Sequence, residues 1–568
     1  MVASHRFQGG IAFSALLAAS CVNAQTPPDA GALRQQIEQQ RVEPLPQPAA
    51  PKVEPVAPAE PRANQPLVHV RRFEFSGNKL LSGEDLNRLV SPWLDRSLSF
   101  SDLQSVAAAI STAYREQGKL ARVQLPRQDI TNGVVRIEIV EAVFGRAALD
   151  GTADGRVPSS TVEAFVTARL HEGSPLDIKD LDRGLMLADD LPGVVVAGRL
   201  VAGDTESQTN VMLKLSDEPF VMGEAMVDNY GSRSTSATRV STNLALTSPL
   251  GFGDLATASL IHSDGSDYAK LDYTVPVGVN GLRVGGSGSL FRYRLLSDAF
   301  SGLDANGRST GFGLHASYPL VRSRPFNFYV GAAWDRRNFV NQAGGSTVSD
   351  YNVDNTTLSA NINSFDNVIG DGANSLAVAL VQTHVNLGGA DNAAQAAGDA
   401  LGPRVSGDSY KLRMAASRQQ TLTSSLTLFA AVSGQIANKN QDSSEKFFLG
   451  GPYGVRAYPV SEAGGSNGML ANLELRNRIA NGWIATAFYD WGRVSVNVNN
   501  NYQGAPSRNS YSLQGVGMSL GWQGPLGLLL KTTWAHRLGS NPSPTANGQD
   551  QDGTLVRNRF WLSANLPY

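Results

Sequence analysis

Two stretches of this sequence hold residue types whose spacing could do chemistry. The first, Gly517-Met518-Ser519-Leu520-Gly521, has the G-x-S-x-G spacing that presents a nucleophilic serine when it sits on a sharp turn from strand to helix. Here it lies among alternating apolar and polar residues that read as one continuous strand, so the hydroxyl has no elbow and the match reads as chance. The second is Gly450-Gly451-Pro452-Tyr453-Gly454-Val455-Arg456-Ala457-Tyr458, a glycine-rich loop between two strands. Its Arg456 can offer a carboxylate two parallel hydrogen bonds, a geometry that lysine cannot reproduce. Further along, Phe488-Tyr489-Asp490 supplies a carboxylate. A strand's period of two places Phe488 and Asp490 on one face, opposite Ala487, Tyr489 and Trp491.

Other chemistry is sparse. The seven histidines show no H-E-x-x-H or comparable ligand spacing, and the single cysteine, Cys21, lies in a leader-like segment, so no metal, cofactor or enzymatic activity is expected. With 48 basic against 50 acidic residues the net charge is -2, and no block of like charge invites nucleic acid.

The elements that must position the loop and the carboxylate come in a definite order. His5 and Arg6, an apolar run ending near Val22, and Val22-Asn23-Ala24 read as a secretory signal peptide over residues 1–24. A lipoprotein reading of Ala18-Ala19-Ser20-Cys21 is weaker, because a leucine is wanted where Ala18 stands. Residues 29–41 carry Leu33 and Ile37 four apart among Arg34, Glu38 and Arg41, the pattern of a short hydrophilic helix. Residues 43–66 are rich in proline and alanine, an extended tether that reaches about 70 Å at roughly 3.1 Å per residue.

Residues 67–143 read strand, helix, helix, strand, strand. A strand is expected from Val68 to Phe75. Ser82 with Asp85, and Ser99 with Asp102, have capping-box spacing. Leu103, Val106, Ala107, Ile110 and Tyr114 make one apolar helix face, which Gly118 ends. The order recurs over 144–216, where Ser160 with Glu163 is expected to cap a helix, a second helix starts at Asp177, and strands follow near Val194 and Val211. From Phe220 to Tyr568 helical periodicity gives way to alternating segments of about ten residues, the signature of a transmembrane barrel with about sixteen strands. Phe560, Leu562, Ala564, Leu566 and Tyr568 fall on one face of the last strand, while Glu474, Arg476 and Lys531 sit mid-strand on the opposite kind of face. A water-filled lumen tolerates such charges and a packed sandwich core does not.

The loop at 450–458 resembles the VRGY-type motif in the sixth extracellular loop of the two-partner secretion transporters. These are the TpsB group of ShlB/FhaC/HecB haemolysin secretion/activation proteins, within the superfamily that includes BamA. The resemblance extends to Val227-Asp228-Asn229-Tyr230-Gly231-Ser232-Arg233, which is similar to that family's first barrel strand. It implies a transmembrane antiparallel β-barrel preceded by two periplasmic α+β POTRA domains and an N-terminal plug-like helix. The implied divisions are a signal peptide at 1–24, plug-like helix at 25–42, linker at 43–66, POTRA domains at 67–143 and 144–216, and barrel at 217–568.

In function, the resemblance implies an outer-membrane transporter that secretes a cognate TpsA-like exoprotein captured by the POTRA domains. Its other expected partners are outer-membrane lipid and, during biogenesis, the barrel assembly machinery. The loop motif Val455, Arg456, Ala457 and Tyr458 would fold into the lumen, with Arg456 on Asp490 of the inner-wall motif with Phe488. The helix bearing Leu33, Arg34, Ile37, Glu38 and Arg41 would plug the pore. Ala457 departs from the family's usual glycine and would be strained if that position requires a positive φ. The C-terminal Leu566-Pro567-Tyr568 departs from the usual terminal phenylalanine. An insertase of the same superfamily is the main alternative, and a passive porin, which has no need of residues 67–216, is another.

Overall fold

The computed structural model of the protein describes residues 27–40, 67–130, 132–151, 155–388, 393–460 and 462–568. The expected leader and proline-rich tether, together with Arg41, lie outside these residues.

Two α+β units precede the barrel. In the first, Arg72–Ser76 pairs in parallel with Val134–Glu141, which pairs antiparallel with Ala121–Gln124. Helices Gly83–Val90 and Phe100–Glu116 cover this sheet, and their Leu86, Val90, Leu103, Val106, Ile110 and Tyr114 form a core with Phe73, Val135, Ile137 and Ile139. Ser99 and Asp102 close a complete capping box, and Gly118 takes φ +78 just past the helix end, where a Cβ would be strained.

The strand expected from Val68 to Phe75 is instead two. The amides of Arg71 and Arg72 both donate to the Gly133 carbonyl, so the chain changes partner there. Val68–Val70 then pairs with Arg96–Leu98, a three-residue strand between the helices too short to leave a periodicity. In the second unit, helix Ser159–Thr167 has Pro158 as its N-cap residue, with no side-chain cap bond. The expected Ser160 cap does not form, because the helix begins right after the proline and Ser160 already lies in its first turn. Helix Ile178–Asp189 is capped by Asp177, which accepts from the Lys179 and Asp180 amides. Asp177 also pairs with Lys119 at 2.8 Å, and the Ile178 amide donates to the Gly118 carbonyl, so one helix end joins the two units.

Sixteen antiparallel strands close into a barrel, from Val221–Asp228 to Asn558–Pro567. Closure runs from Ser563 opposite Asp228 to Pro567 opposite Glu224, so the proline stands at the strand's last position, where a missing donor costs little. The alternation sorts as the lumen requires. Leu271, Leu290, Phe312, Leu358, Met518 and Phe560 are all more than half exposed on the outer wall, whereas Asn355, Lys411, Gln435 and Asp490 are buried inside. Ser519 is one of these inward residues. It lies mid-strand in Ser510–Gln523 and shares a hydrogen bond with the Thr533 hydroxyl. No helix among the described residues is long and apolar enough to cross a membrane.

The second unit docks on the barrel's short turns. Arg322 holds both oxygens of Asp190 at 2.8 Å, Arg324 reaches Asp182 at 3.1 Å, and buried Arg183 donates to the Pro319 carbonyl at 2.8 Å. At this partial exposure each ion pair is worth roughly 1 kcal/mol. Arg322→Ala with Arg324→Ala is therefore expected to loosen the unit without unfolding it. The check is a spin-label distance between residues 163 and 369, which should broaden in the variant; an unchanged distribution would show that the two ion pairs are not needed for the pose.

Candidate functional site

The loop at residues 438–466 leaves the barrel wall after Leu426–Ala437, folds into the lumen and returns at Asn467–Arg478. Its tip is held by its own backbone. The Val455 amide donates to Leu449 O at 2.7 Å, Tyr458 N to Val455 O at 3.0 Å and Gly451 N to Tyr458 O at 3.1 Å. Val455, Ala457 and Tyr458 are buried with Leu449, Leu470, Phe488 and Leu513 in an apolar cluster against the wall.

Arg456 projects from this cluster into a ring of fixed partners. Asp490, on Trp483–Ser495, accepts from Arg456 Nε at 2.8 Å and Nη2 at 2.6 Å, and also from the Arg456 amide at 3.0 Å. Arg456 Nη1 reaches Glu474 at 2.8 Å, and the guanidinium stacks 3.5 Å from the Phe488 ring centroid. Asn472, directly opposite Asp490 in register, donates to the same carboxylate at 2.8 Å. The Trp561 indole N–H, on the last barrel strand, donates to Arg456 O at 2.8 Å, tying the loop to the strand that closes the barrel. Asp490 is fully buried and Arg456 nearly so, which makes this a desolvated pair with most of its hydrogen-bonding capacity filled.

Helix Ala30–Gln39 lies in the same lumen. Its N-cap Asp29 accepts from the Ala32 amide and from the Ser443 hydroxyl, both at 2.8 Å, so one carboxylate caps the helix and ties it to the loop. Arg34 forks onto the wall serines Ser309 at 2.9 Å and Ser289 at 3.0 Å while pairing with Glu38 one turn on. Leu33 is buried against Phe291, Tyr293 and Phe339, with Ile37 at the edge of that cluster. Gln39 exchanges two hydrogen bonds with the Phe448 backbone. Beside the helix a cavity of about 650 Å³ has a lining of mixed charge that includes Glu38, Lys270, Asp272, Asp335, Arg337 and Arg413.

Residues 207–524 match the family described as haemolysin secretion/activation protein ShlB/FhaC/HecB, and residues 68–142 match the POTRA domain, ShlB-type. The chain belongs to this family. It is an outer-membrane two-partner secretion transporter with its N-terminal domains in the periplasm. The heme/hemopexin transporter protein HuxB of Haemophilus influenzae strain 86-028NP is 25% identical over 557 residues, covering 94% of each chain. The solved structure of CdiB from Escherichia coli superposes with a TM-score of 0.67 at 19% identity, covering 94% of this chain and 95% of that one. BamA from Haemophilus ducreyi lacking POTRA domains 1-3 shares the fold at a TM-score of 0.53 and 14% identity, covering 88% of this chain and 100% of that one.

In this transporter the six residues of the two motifs come together in one cluster, and Leu33, Arg34, Ile37 and Glu38 lie in the lumen. Ala457 does not have a positive φ. Its methyl fits because Gly515 faces it; a Cβ there would stand 2.7 Å from the Ala457 Cβ.

Sequence reasoning missed a second anchor of the same loop. Glu445, fully buried on the limb leading into the tip, accepts from Arg337 at 2.6 Å and Asn355 at 2.9 Å, and pairs with buried Lys411 and with Arg413. Nothing in the neighbouring Ser443-Ser444 marks that glutamate, whereas Glu474 had a signal as a mid-strand charge. Glu445→Gln leaves Lys411 and Arg337 without their shared anion, a loss of about 3–5 kcal/mol for a broken buried pair. The folded barrel is expected to unfold at lower temperature, read as heat-modifiable migration on gels. Residue 33 is expected to become reactive to a thiol reagent in a Leu33→Cys background. Wild-type behaviour in both assays would remove Glu445 as an anchor.

Proposed function

We propose that this transporter passes one cognate TpsA-like exoprotein, unfolded, from periplasm to cell surface through a lumen that rests shut. The observation that carries the reading is the double closure, with Arg456 locked on Asp490 and the N-terminal helix seated on the same loop. Two POTRA-type units, at 67–143 and 144–216, would capture the substrate in the periplasm. Their sheets end in Arg72–Ser76 and Ala121–Gln124, and in Val143–Leu149 and Val194–Ala202, where an extended chain can add a strand. The helix then leaves, the loop yields, and the partner emerges as it folds outside. During biogenesis the strand ending Leu566-Pro567-Tyr568 is the segment offered to the barrel assembly machinery.

The test is genetic and chemical. Deleting the transporter should remove one or a few large exoproteins from the medium, as measured by mass spectrometry. A wild-type copy should restore them, and a copy lacking residues 67–216 should not. An unchanged medium with altered outer-membrane protein content would instead favour an assembly factor.

A further inference from the structure

We infer that the outer wall carries a binding site for the phosphorylated glycolipid of the outer leaflet, built on Arg292, Arg294 and Arg308. Strand Leu282–Arg294 rises from a short periplasmic turn, and Asn306–Arg322 descends from the outer loop, so these arginines lie at the outer end of two adjacent strands. Arg292 stands directly opposite Arg308 in register, and Arg294 lies two residues on, on the same face. All three are exposed. That face is the lipid-facing one. Leu290, more than half exposed, lies two residues from Arg292, and Phe312 and Leu314 continue the row toward the membrane midplane from Arg308.

Like charges set directly opposite one another on a sheet are destabilising, so this register is unfavourable unless an anion sits between them. Asp267 stands opposite Arg292 on its other side and also bonds His262 at 2.7 Å, whereas Arg294 and Arg308 have no carboxylate opposite them in register, and Arg336 holds both oxygens of Asp354 at 2.8 Å. Asp298 and Asp304 belong to the connecting loop above. Among the described residues no ion pair to any of the three arginines is present, in contrast to these neighbours. Guanidinium forks match phosphate oxygens two at a time, and basic side chains at a membrane surface add about 1 kcal/mol each toward anionic headgroups. Leu290, Phe312 and Leu314 directly beneath would pack the acyl chains, which selects a lipid over a free anion.

The probe is bisphosphorylated lipid A, titrated onto the full chain in detergent and counted by native mass spectrometry. Binding is expected to weaken roughly tenfold for each arginine replaced in Arg292→Gln, Arg308→Gln and their combination, from the loss of a charge-assisted hydrogen bond. Arg493→Gln, an exposed arginine of strand Trp483–Ser495 far round the wall, serves as the control and should bind as wild type. Dephosphorylated lipid A should bind weakly, and excess inorganic phosphate should not compete. Retained heat-modifiable migration shows each variant is folded. Equal binding by the double variant, equal binding of phosphatidylglycerol, or full competition by inorganic phosphate would each overturn the assignment.

Discussion

Arg456→Ala should abolish most secretion while leaving the barrel in the membrane. Removing the guanidinium strands Asp490, which is fully buried, with only Asn472 and one backbone amide as donors. Breaking a desolvated pair in this way costs about 3–5 kcal/mol, because the surviving charge has lost its compensation. That is enough to loosen a loop tip whose other ties are its own backbone hydrogen bonds, apolar contacts and single side-chain bonds such as Trp561 to Arg456 O and Asn472 to Gly454 O. Lysine at 456 keeps the charge but loses both the two-bond fork and the flat stacking on Phe488, so Arg456→Lys should fall between wild type and alanine. Secretion per folded transporter at the surface is the quantity to measure, with single-channel noise as a second readout. Wild-type secretion and wild-type traces from Arg456→Ala would mean the pair is only a structural convenience. Gly515→Val probes the same lock from behind, since its side chain must displace Ala457 and with it the loop.

Deleting residues 29–40 is expected to have the largest electrical effect. An α-helix with its side chains is about 10–12 Å across, so vacating it opens a passage of comparable width beside the existing cavity. Planar-bilayer conductance should rise several-fold and lose its brief closures. Gly31→Leu offers the same test without deletion. A Cβ at Gly31 would already stand 2.7 Å from the Ser443 hydroxyl, so a larger side chain must push the helix off the loop. Arg34→Ala, which removes two hydrogen bonds to the wall serines, should raise the open fraction less. Conductance unchanged by both the deletion and Gly31→Leu would place the pore's resistance in the loop alone.

These two locks were legible to different degrees. Period-two alternation set Phe488 and Asp490 on one face, and the glycine-rich loop marked Arg456, so both halves of the pair could be nominated. Their pairing came from the family resemblance. Glu474 was visible as a charge on the inward row but not as a second acceptor for Arg456, since only the folded loop decides how deep the guanidinium reaches. The capping spacings show the same division. Ser99 with Asp102 forms its box, whereas Ser160 with Glu163 does not, because with Pro158 as N-cap the helix starts two residues sooner.

The features of this transporter readable along the chain are those carried by local period and local chemistry. The alternation of barrel strands, the apolar face of Phe100–Glu116, the short hydrophilic helix near Leu33 and the unusual loop all lie within windows of twenty residues or fewer. Folding alone set the contacts between residues from 34 to 414 positions apart. Arg34 meets Ser289 and Ser309, Asp29 meets Ser443, Glu445 meets Arg337 and Lys411, and Arg322 meets Asp190. Such pairs depend on strand number, on the register of every hairpin between them and on the closure of the first strand against the last. A one-residue slip at any of those steps would turn the inward serines and carboxylates out to the lipid, so no short stretch of sequence contains them.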